Sequence, residues 1–380
     1  MKICVYAIAK NELKYLDRWL DSMSEADYIT VMDTGSTDGT LEFLQKDPRV
    51  TKVEQKIIDP WRFDVARNES MKLVPEDADL LVCTDPDEYF DPGWAQVLRD
   101  NWTPKITRCH YTYAWSHNDL GEPQDVFIYD KIHTRDYHWI FPVHEVLYPN
   151  RMGEEGFVEE VLDAGTTIYL HHTQDKSKDR TSYFDLLKLS MDENPTESHS
   201  RMLLAREYLV KEDYDNALVE YLKCLDMPDI RKPERRLVLL ETLGRIGDIY
   251  LQKKDYNNAI LYYNKFLEED KTHREPYFCL AELYNQIGLY GVAKGLVEEG
   301  LRNSVQHYDW VERRDNWIAK SDDILSISEY FLGNYDRAIE LGQNAVKHSP
   351  NDVRILRNYI AFLEAKYILN NKEESNGESN

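Results

Sequence analysis

The chain has 380 residues and a formal net charge of −23, with 46 lysines and arginines against 69 aspartates and glutamates. This length predicts two or three domains, and the 42% of hydrophobic residues is enough to form packed cores. Residues 1–180 carry 20 basic and 34 acidic side chains, and residues 181–380 carry 26 and 35. Neither half has the basic excess that duplex nucleic acid requires, so we disfavour nucleic acid as a partner.

Cysteine usage and hydropathy bear on where the protein resides. The five cysteines are scattered and none forms a CxxC pair, which argues against a disulfide framework and for a reducing compartment. The N-terminal string MKICVYAIAKNE is interrupted by charge too soon for a signal peptide. No apolar run approaches about 18 residues. We therefore expect a cytoplasmic protein without a membrane span.

The first half alternates short apolar runs with helical stretches. The pattern predicts strands at 3–9, 28–33, 50–58 and 79–85, with helices over 12–23 and from residue 40. Such alternation is typical of an α/β domain with a mainly parallel central sheet. Ligands of such sheets bind beyond the carboxyl ends of the strands, and the polar clusters of this sequence follow those ends.

The second half is helical and repetitive. Each of four units places a small residue twelve positions before an alanine, in the pairs Ala205/Ala217, Gly247/Ala259, Ala281/Ala293 and Ser326/Ala338. Two antiparallel helices approach closely only where both present small side chains. The pattern resembles the tetratricopeptide repeat. The last step of the pattern, the spacing from Ala293 to Ala338, is longer than a standard repeat and contains the string HYDWVERRDN (307–316).

These patterns predict the domain organisation. We expect an α/β domain over residues 1–180, a linker or first helix over 181–203, and helical repeats with a capping helix over 204–370. The remaining segment, 371–380, lacks apolar side chains and is predicted to be a disordered tail.

Six polar strings occur in order in the first half. They are AKNE (9–12), DTGSTDGT (33–40), ARNES (66–70), TDPDEYF (84–90), HEVLY (144–148) and HHT (171–173). Their order and spacing resemble a family 2 glycosyltransferase, a nucleotide-sugar enzyme with a GT-A-type fold. The resemblance covers roughly residues 1–185. The chain looks like the subgroup in which tetratricopeptide repeats follow the catalytic domain, and some of that subgroup glycosylate peptides or proteins.

The resemblance implies a nucleotide-sugar site, with UDP as the expected nucleotide. Asp33 would meet the base, and Arg67 would reach the base or the phosphates. Glu12 would help to hold the uracil and ribose, although a carboxylate in the first turn of a helix is an equal alternative. Arg180 lies in a polar segment that would either close over the diphosphate or serve as the linker. The full predicted set is Ala7, Ala9, Glu12, Asp33, Arg67, Asp85 and Arg180.

The string TDPDEYF contains the DxD arrangement of that family. Hard carboxylate oxygens suit Mn²⁺ or Mg²⁺, and such an ion would neutralise the charge that develops on departing UDP. Asp87 is the expected direct ligand, and Asp85 would contact ribose or metal-bound water. By resemblance a strand-end histidine completes the metal shell. His171 aligns best, but the departure at His172 and Thr173 from the family pattern leaves the choice between the two histidines open.

Glu145 is the candidate general base for an inverting transfer. Acceptor binding or a structural salt bridge is the alternative for this side chain, and a retaining transfer would need no such base. The favoured function is metal-dependent transfer of a hexose, such as glucose, from a UDP-sugar to a protein or peptide acceptor docked by the repeats. Alternatives are transfer to a glycan or lipid-linked glycan, with the repeats forming a homo-oligomer, and a non-catalytic scaffold with a degenerate transferase domain.

Overall fold

The computed structural model describes residues 1–117, 121–165, 167–173, 175, 182–303, 305, 307, 309, 311 and 319–377. It forms two compact units, Met1–Pro195 and Thr196–Asn380. The division falls within the segment 181–203 that the sequence predicts to be a linker or first helix. Arg180 lies outside the described residues.

One half of the central sheet is parallel. Its strands follow the order β3-β2-β1-β4, with bounds β1 (Ile3–Ala9), β2 (Tyr28–Asp33), β3 (Lys52–Gln55) and β4 (Leu80–Cys83). All residues of β1 and β4 are buried, because helices cover a parallel sheet on both faces. The predicted strands at 3–9 and 28–33 are confirmed, and the strand predicted over 50–58 is shorter.

The other half of the sheet is mixed, continuing in the order β4-β7-β6-β11-β5, with β10 also paired to β6. β7 is antiparallel to both of its neighbours, while β10 and β11 run parallel to β6. The strands are β5 (Glu88–Phe90), β6 (Ile106–Ala114), β7 (Val126–His133), β10 (Glu160–Asp163) and β11 (Tyr169–His172). A separate hairpin joins β8 (Tyr137–Ile140) to β9 (Val146–Pro149). The predicted α/β fold with a mostly parallel sheet is confirmed.

Five described helices belong to the first unit. They are α1 (Leu13–Met23), α2 (Thr40–Lys46), α3 (Phe63–Met71), α4 (Trp94–Asn101) and α5 (Tyr183–Glu193). The buried residues of α1, including Leu16, Trp19 and Met23, recur at helical spacing, and each contributes about 1.5–3 kcal/mol by burial. The indole of Trp19 also donates to Thr84 Oγ1 at 3.0 Å. This bond ties α1 to the turn that follows β4.

The second unit is a series of helices that pack as consecutive pairs. They are α6 (Ser198–Val210), α7 (Tyr214–Leu225), α8 (Arg236–Gln252), α9 (Tyr256–Glu269), α10 (Glu275–Gln286), α11 (Tyr290–Arg302), α12 (Lys320–Phe331), α13 (Tyr335–His348) and α14 (Val353–Gly377). The small residues of the repeat pattern are buried where paired helices meet. A Cβ atom added to Gly247 would lie 2.5 Å from the ring of Tyr263, so that position requires glycine.

The last helix differs from the sequence prediction at its end. α14 begins where the Asp352 carboxylate accepts the backbone N–H groups of Arg354 and Ile355, which matches the predicted capping helix. It extends to Gly377, into the segment 371–380 that the sequence predicts to be disordered. Among the helices of the described chain, none is long and apolar enough to cross a bilayer.

Candidate active site

Three parallel strands bring the predicted polar side chains to one edge of the sheet. Ala9, the last residue of β1, lies opposite Asp33, the last residue of β2. β4 pairs with β1 and ends at Cys83, so Asp85 and Asp87 follow at the same edge. The carboxyl ends of parallel strands are the usual ligand-binding edge of such sheets.

Asp33 is fully buried, and only one of its two carboxylate oxygens accepts hydrogen bonds from the described residues. Its Oδ2 accepts hydrogen bonds from the backbone of Gly35 and Ser36 and from Gln55 Nε2, at 3.0, 3.1 and 2.8 Å. Its Oδ1 is buried and has no hydrogen-bond partner among the described residues. A buried carboxylate oxygen without a donor is costly. The arrangement therefore fits a ligand that brings an N–H donor to Oδ1.

The loop after β1 is held by its own hydrogen bonds. The carbonyl of Ala9 accepts from the backbone N–H of Thr34 at 2.8 Å, and the side chain of Ala7 is packed inside the domain. The backbone N–H of Glu12 donates to Thr40 Oγ1 at 2.9 Å. The Glu12 side chain is buried and directly precedes α1, a position that suits both a carboxylate at a helix N-terminus and a group of the nucleotide-sugar site.

Arg67 in α3 connects two carboxylates of the predicted site. Its Nη1 and Nη2 lie 2.7 and 3.0 Å from the two carboxylate oxygens of Asp85. Its Nε donates to Glu145 Oε1 at 3.0 Å. Although burial lowers it, the pKa of the Arg67 guanidinium is held above its ordinary value by Asp85 and Glu145. The sequence predicts that Arg67 contacts a base or phosphates, whereas the structure pairs it with these two carboxylates.

The turn between β4 and β5 is closed by Glu88. Its Oε2 accepts the backbone N–H of Asp85 at 2.9 Å, and the Tyr113 hydroxyl donates to its Oε1 at 2.9 Å. Burial, with the charge of Asp85, raises the pKa of Glu88 to about 7. Lys131 of β7 is buried above the ring of Tyr129, 4.6 Å from its centroid. Despite burial, the pKa of Lys131 is raised by Tyr129, Asp85 and Glu88, so it adds positive charge to this edge.

The structure places His172, rather than the predicted His171, beside Asp87. The Nε2 of His172 lies 3.6 Å from Asp87 Oδ2, whereas the ring of His171 bonds His117 and Asp91. The two histidines are consecutive in β11, so their side chains point to opposite faces of the strand. Although burial lowers it, the pKa of His172 is raised by Asp87.

Two aromatic side chains of β6 and its exit support this pair. The indole of Trp115 stacks on the His172 ring with centroids 4.4 Å apart, and its carbonyl lies 3.3 Å from His172 Nδ1. Tyr113 is buried and bonded to Glu88. Tyr113 therefore packs inside the domain, whereas Trp115 orients the imidazole next to Asp87.

Glu145 lies directly before β9, in the turn of the β8–β9 hairpin. The preceding residue, His144, has a φ of 50°, a left-handed conformation that favours a sharp change of chain direction. The hairpin is fixed to α3 because the Asn68 side chain bonds both backbone groups of Trp139, at 2.8 and 2.9 Å. The Glu145 side chain is only 10% exposed and is paired with Arg67. The salt-bridge alternative for Glu145 is thus present in the structure.

Sequence reasoning missed Gln55 and Lys131. Both lie on strands, and their contacts with the site come from strand register, which no local motif encodes. Neither β3 (KVEQ) nor β7 (VFIYDKIH) alternates polar with apolar residues, so no local signal in the sequence marks either position.

The fold and this edge define an α/β domain with polar residues beyond the carboxyl ends of its parallel strands, where ligands of such sheets bind. The family described as glycosyl transferase family 2 matches residues 4–104, and the tetratricopeptide repeat matches residues 240–273. The chain thus has a family 2 glycosyltransferase domain followed by C-terminal tetratricopeptide repeats, as the sequence motifs predict. The first match supports glycosyltransferase activity in general, and the second supports interaction with proteins.

Part of the chain is similar to solved structures of repeat proteins. A tetratricopeptide repeat protein from Parabacteroides merdae is 19% identical with a TM-score of 0.38, over 47% of this chain and 64% of that chain. This chain therefore spans less than two thirds of that relative. The MamA protein is 20% identical with a TM-score of 0.36, and the match covers 47% of this chain and 86% of the MamA chain. No curated protein matches the sequence.

Proposed function

We propose that the first unit is an inverting hexosyltransferase that uses a UDP-sugar and a divalent cation, and that the repeats dock a protein or peptide acceptor. The observation that carries this proposal is the linked group of Asp85, Arg67 and Glu145 at the strand ends, inside a family 2 domain. A degenerate domain retained as a scaffold would have no reason to bury an arginine between these two carboxylates, because burying charge is costly.

The donor site would begin at Asp33. Its unpartnered Oδ1 is suited to the imide N–H of uracil, and its Oδ2 is already held by Gln55 and the following turn. A carboxylate only accepts hydrogen bonds, so Asp33 suits any base that presents an N–H there, which includes thymine and guanine as well as uracil. Among these bases, the match to glycosyl transferase family 2 favours uracil, and the donor panel below distinguishes UDP from GDP and TDP.

The cation would be held by Asp87, with His172 as the nearest imidazole. Carboxylate oxygen and imidazole nitrogen together suit Mn²⁺, and the carboxylate alone suits Mg²⁺. Family 2 enzymes commonly depend on a divalent metal, which when bound supplies charge neutralisation for the departing diphosphate. The turn that carries Asp87 is held by Glu88, which accepts the backbone N–H of Asp85, and by the Asp87 carbonyl, which accepts the backbone N–H of Thr173.

Glu145 would accept the proton of the acceptor hydroxyl or thiol. It is almost buried and its orientation is fixed by Arg67, which suits a base that must point in one direction. Transfer to a glycan is a second candidate for the acceptor, and no described contact favours it over a protein. The tetratricopeptide repeats favour a protein acceptor, since such repeats form extended concave binding surfaces.

A donor panel tests the proposal. The purified full chain is incubated with UDP-, GDP- and TDP-sugars and Mn²⁺, and nucleotide release is measured with and without excess chelator. We expect release from a UDP-hexose only, abolished by chelator and by Asp87→Ala. Intact-mass analysis of candidate acceptors then identifies the transferred mass. Release that persists at full rate with chelator would rule out the metal-dependent reaction.

A further inference from the structure

A cluster of histidine and aspartate side chains lies in the second unit, apart from the candidate active site. Asp270 and His273 come from the turn between α9 and α10. His307 and Asp309 come from the long step after α11 that the repeat pattern singles out. The ligand atoms of Asp270, His273 and His307 all lie within 4.8 Å of one another. Standard repeat packing does not explain this gathering of polar groups.

The cluster is largely buried. The side chains of Asp270 and His273 are 8% and 2% exposed, with Asp270 Oδ2 and His273 Nδ1 3.3 Å apart. The ring of His307 stacks on that of His273, with centroids 3.9 Å apart. Imidazole nitrogens and a carboxylate oxygen form the donor set that zinc uses in proteins.

The surrounding hydrogen bonds determine which ring nitrogens carry protons. A carboxylate only accepts, so His273 donates its Nε2–H to Asp309 Oδ2 at 3.0 Å. The Thr272 hydroxyl donates to Asp270 Oδ1 at 2.6 Å, so it accepts from His307 Nε2 at 2.8 Å. In the neutral rings both Nδ1 atoms then carry lone pairs. This is the arrangement of metal-binding histidines, whose other nitrogen donates to a carboxylate or another oxygen.

We propose that Asp270, His273 and His307 form a transition-metal site, with Zn²⁺ as the expected ion and Asp309 orienting His273. The two imidazole planes are parallel within 5°, so one ring must rotate about its Cβ–Cγ bond for both nitrogens to face one ion. Arg236 donates to Asp270 Oδ2 at 2.7 Å. Its side chain is 53% exposed, so it can move into solvent when the ion arrives.

A metal ion at this site would fix the position of His307 and Asp309, which lie in the long step after α11. Both residues would be held against the turn that joins the α8–α9 pair to the α10–α11 pair. Closing a long connection has an entropic cost, and metal coordination offsets such a cost directly, because ligand binding contributes to folding free energy.

Metal titration of the full chain tests the site. Chelator-treated protein is titrated with Zn²⁺ in a calorimeter, and Co²⁺ binding is followed by its visible absorption. We expect one Zn²⁺ site that is retained in Asp87→Ala, which separates it from the proposed active-site cation. His273→Ala and His307→Ala should each weaken this site at least about 100-fold. Asp309→Asn should weaken it about 10- to 100-fold.

His348→Ala is the matched control, since this histidine is exposed at the end of α13 and should bind Zn²⁺ like the parent. Should His273→Ala unfold, His307→Ala and Asp309→Asn still decide the question. Zn²⁺ binding that is absent, or unchanged in both of these variants, would overturn the proposal. Either result would indicate instead that His273 only bridges Asp270 and Asp309, without binding a metal ion.

Discussion

The Nη1 atom of Arg67 lies 2.7 Å from Oδ1 of Asp85, so helix α3 holds the first carboxylate of the DxD turn. The same side chain is 3% exposed and also pairs with Glu145. The buried guanidinium of Arg67 therefore fixes the separation between Asp85, in the proposed nucleotide-sugar site, and Glu145, the proposed base. Removing Arg67 would leave Asp85 and Glu145 without the guanidinium that pairs with both of them.

The first prediction concerns this cation. Arg67→Met should lower the free energy of unfolding by about 3 kcal/mol, because unpaired buried charge is strongly destabilising. Arg67→Lys should lower it less but still reduce activity, since an ammonium cannot pair with both oxygens of Asp85 and reach Glu145. Urea denaturation followed by circular dichroism measures the effect.

Arg151→Met is the control for Arg67. Arg151 pairs with Glu154 on the surface, where both side chains are more than half exposed, and such pairs contribute at most about 1 kcal/mol. An Arg67→Met variant no less stable than Arg151→Met would mean that the buried pairs do not hold the site together.

The second prediction concerns Glu145. Glu145→Gln keeps an oxygen for the Arg67 Nε–H but cannot accept a proton. The turnover number for transfer should fall about 100- to 10,000-fold, while the KM for the UDP-sugar should change less than about threefold. Steady-state kinetics with saturating acceptor separate the two parameters. Glu155→Gln, at an exposed position, should match the parent. Unimpaired transfer by Glu145→Gln would indicate a retaining reaction or another base.

The third prediction distinguishes the two consecutive histidines. His172→Ala should raise the Mn²⁺ concentration for half-maximal activity about 10- to 100-fold, the loss expected when a group beside the metal is removed. His171→Ala should raise it far less, because that ring bonds His117 and Asp91 rather than Asp87. Hydrolysis of the UDP-sugar, measured over a series of Mn²⁺ concentrations, gives the half-maximal Mn²⁺ concentration of each variant. A larger effect for His171→Ala would restore the prediction made from the sequence.

The sequence predicted the parts of the site that local patterns encode. Asp33, Asp85 and Asp87 follow apolar strands, and strand ends of a parallel sheet converge by geometry. The pairing of Arg67 with Glu145 joins positions 78 residues apart, so it depends on how the β8–β9 hairpin packs on α3. The choice between His171 and His172 depends on the register of β11 against β5. A one-residue shift of register exchanges the faces of a strand, and no motif reports it.

The repeats were predictable for a different reason. The small residues recur at fixed spacing because each helix pair repeats the same close contact, as at Gly247 against Tyr263. The length of α14 was not predictable, since its last residues have neither apolar periodicity nor a terminating proline. Composition alone therefore suggested disorder where the helix continues to Gly377.

The last prediction concerns His133, which is fully buried at the end of β7. Its Nδ1–H donates to the carbonyl of Thr134 at 2.6 Å, and its Nε2 accepts from the Tyr6 hydroxyl at 2.8 Å. Burial lowers the pKa of His133 to about 3. In the unfolded chain the ring binds a proton near its ordinary pKa of about 6.5, so stability falls as the pH drops from about 6.5 towards 3.

Between pH 7.5 and 5.0 this residue should reduce the free energy of unfolding by about 2 kcal/mol. His133→Gln should be less stable than the parent at pH 7.5 but should lose about 2 kcal/mol less over the same interval, because glutamine does not titrate. Urea denaturation at the two pH values measures the difference. The exposed His348→Ala should keep the acid sensitivity of the parent. An equal loss in His133→Gln and the parent would show that His133 is protonated in the folded chain or that other groups dominate the acid response.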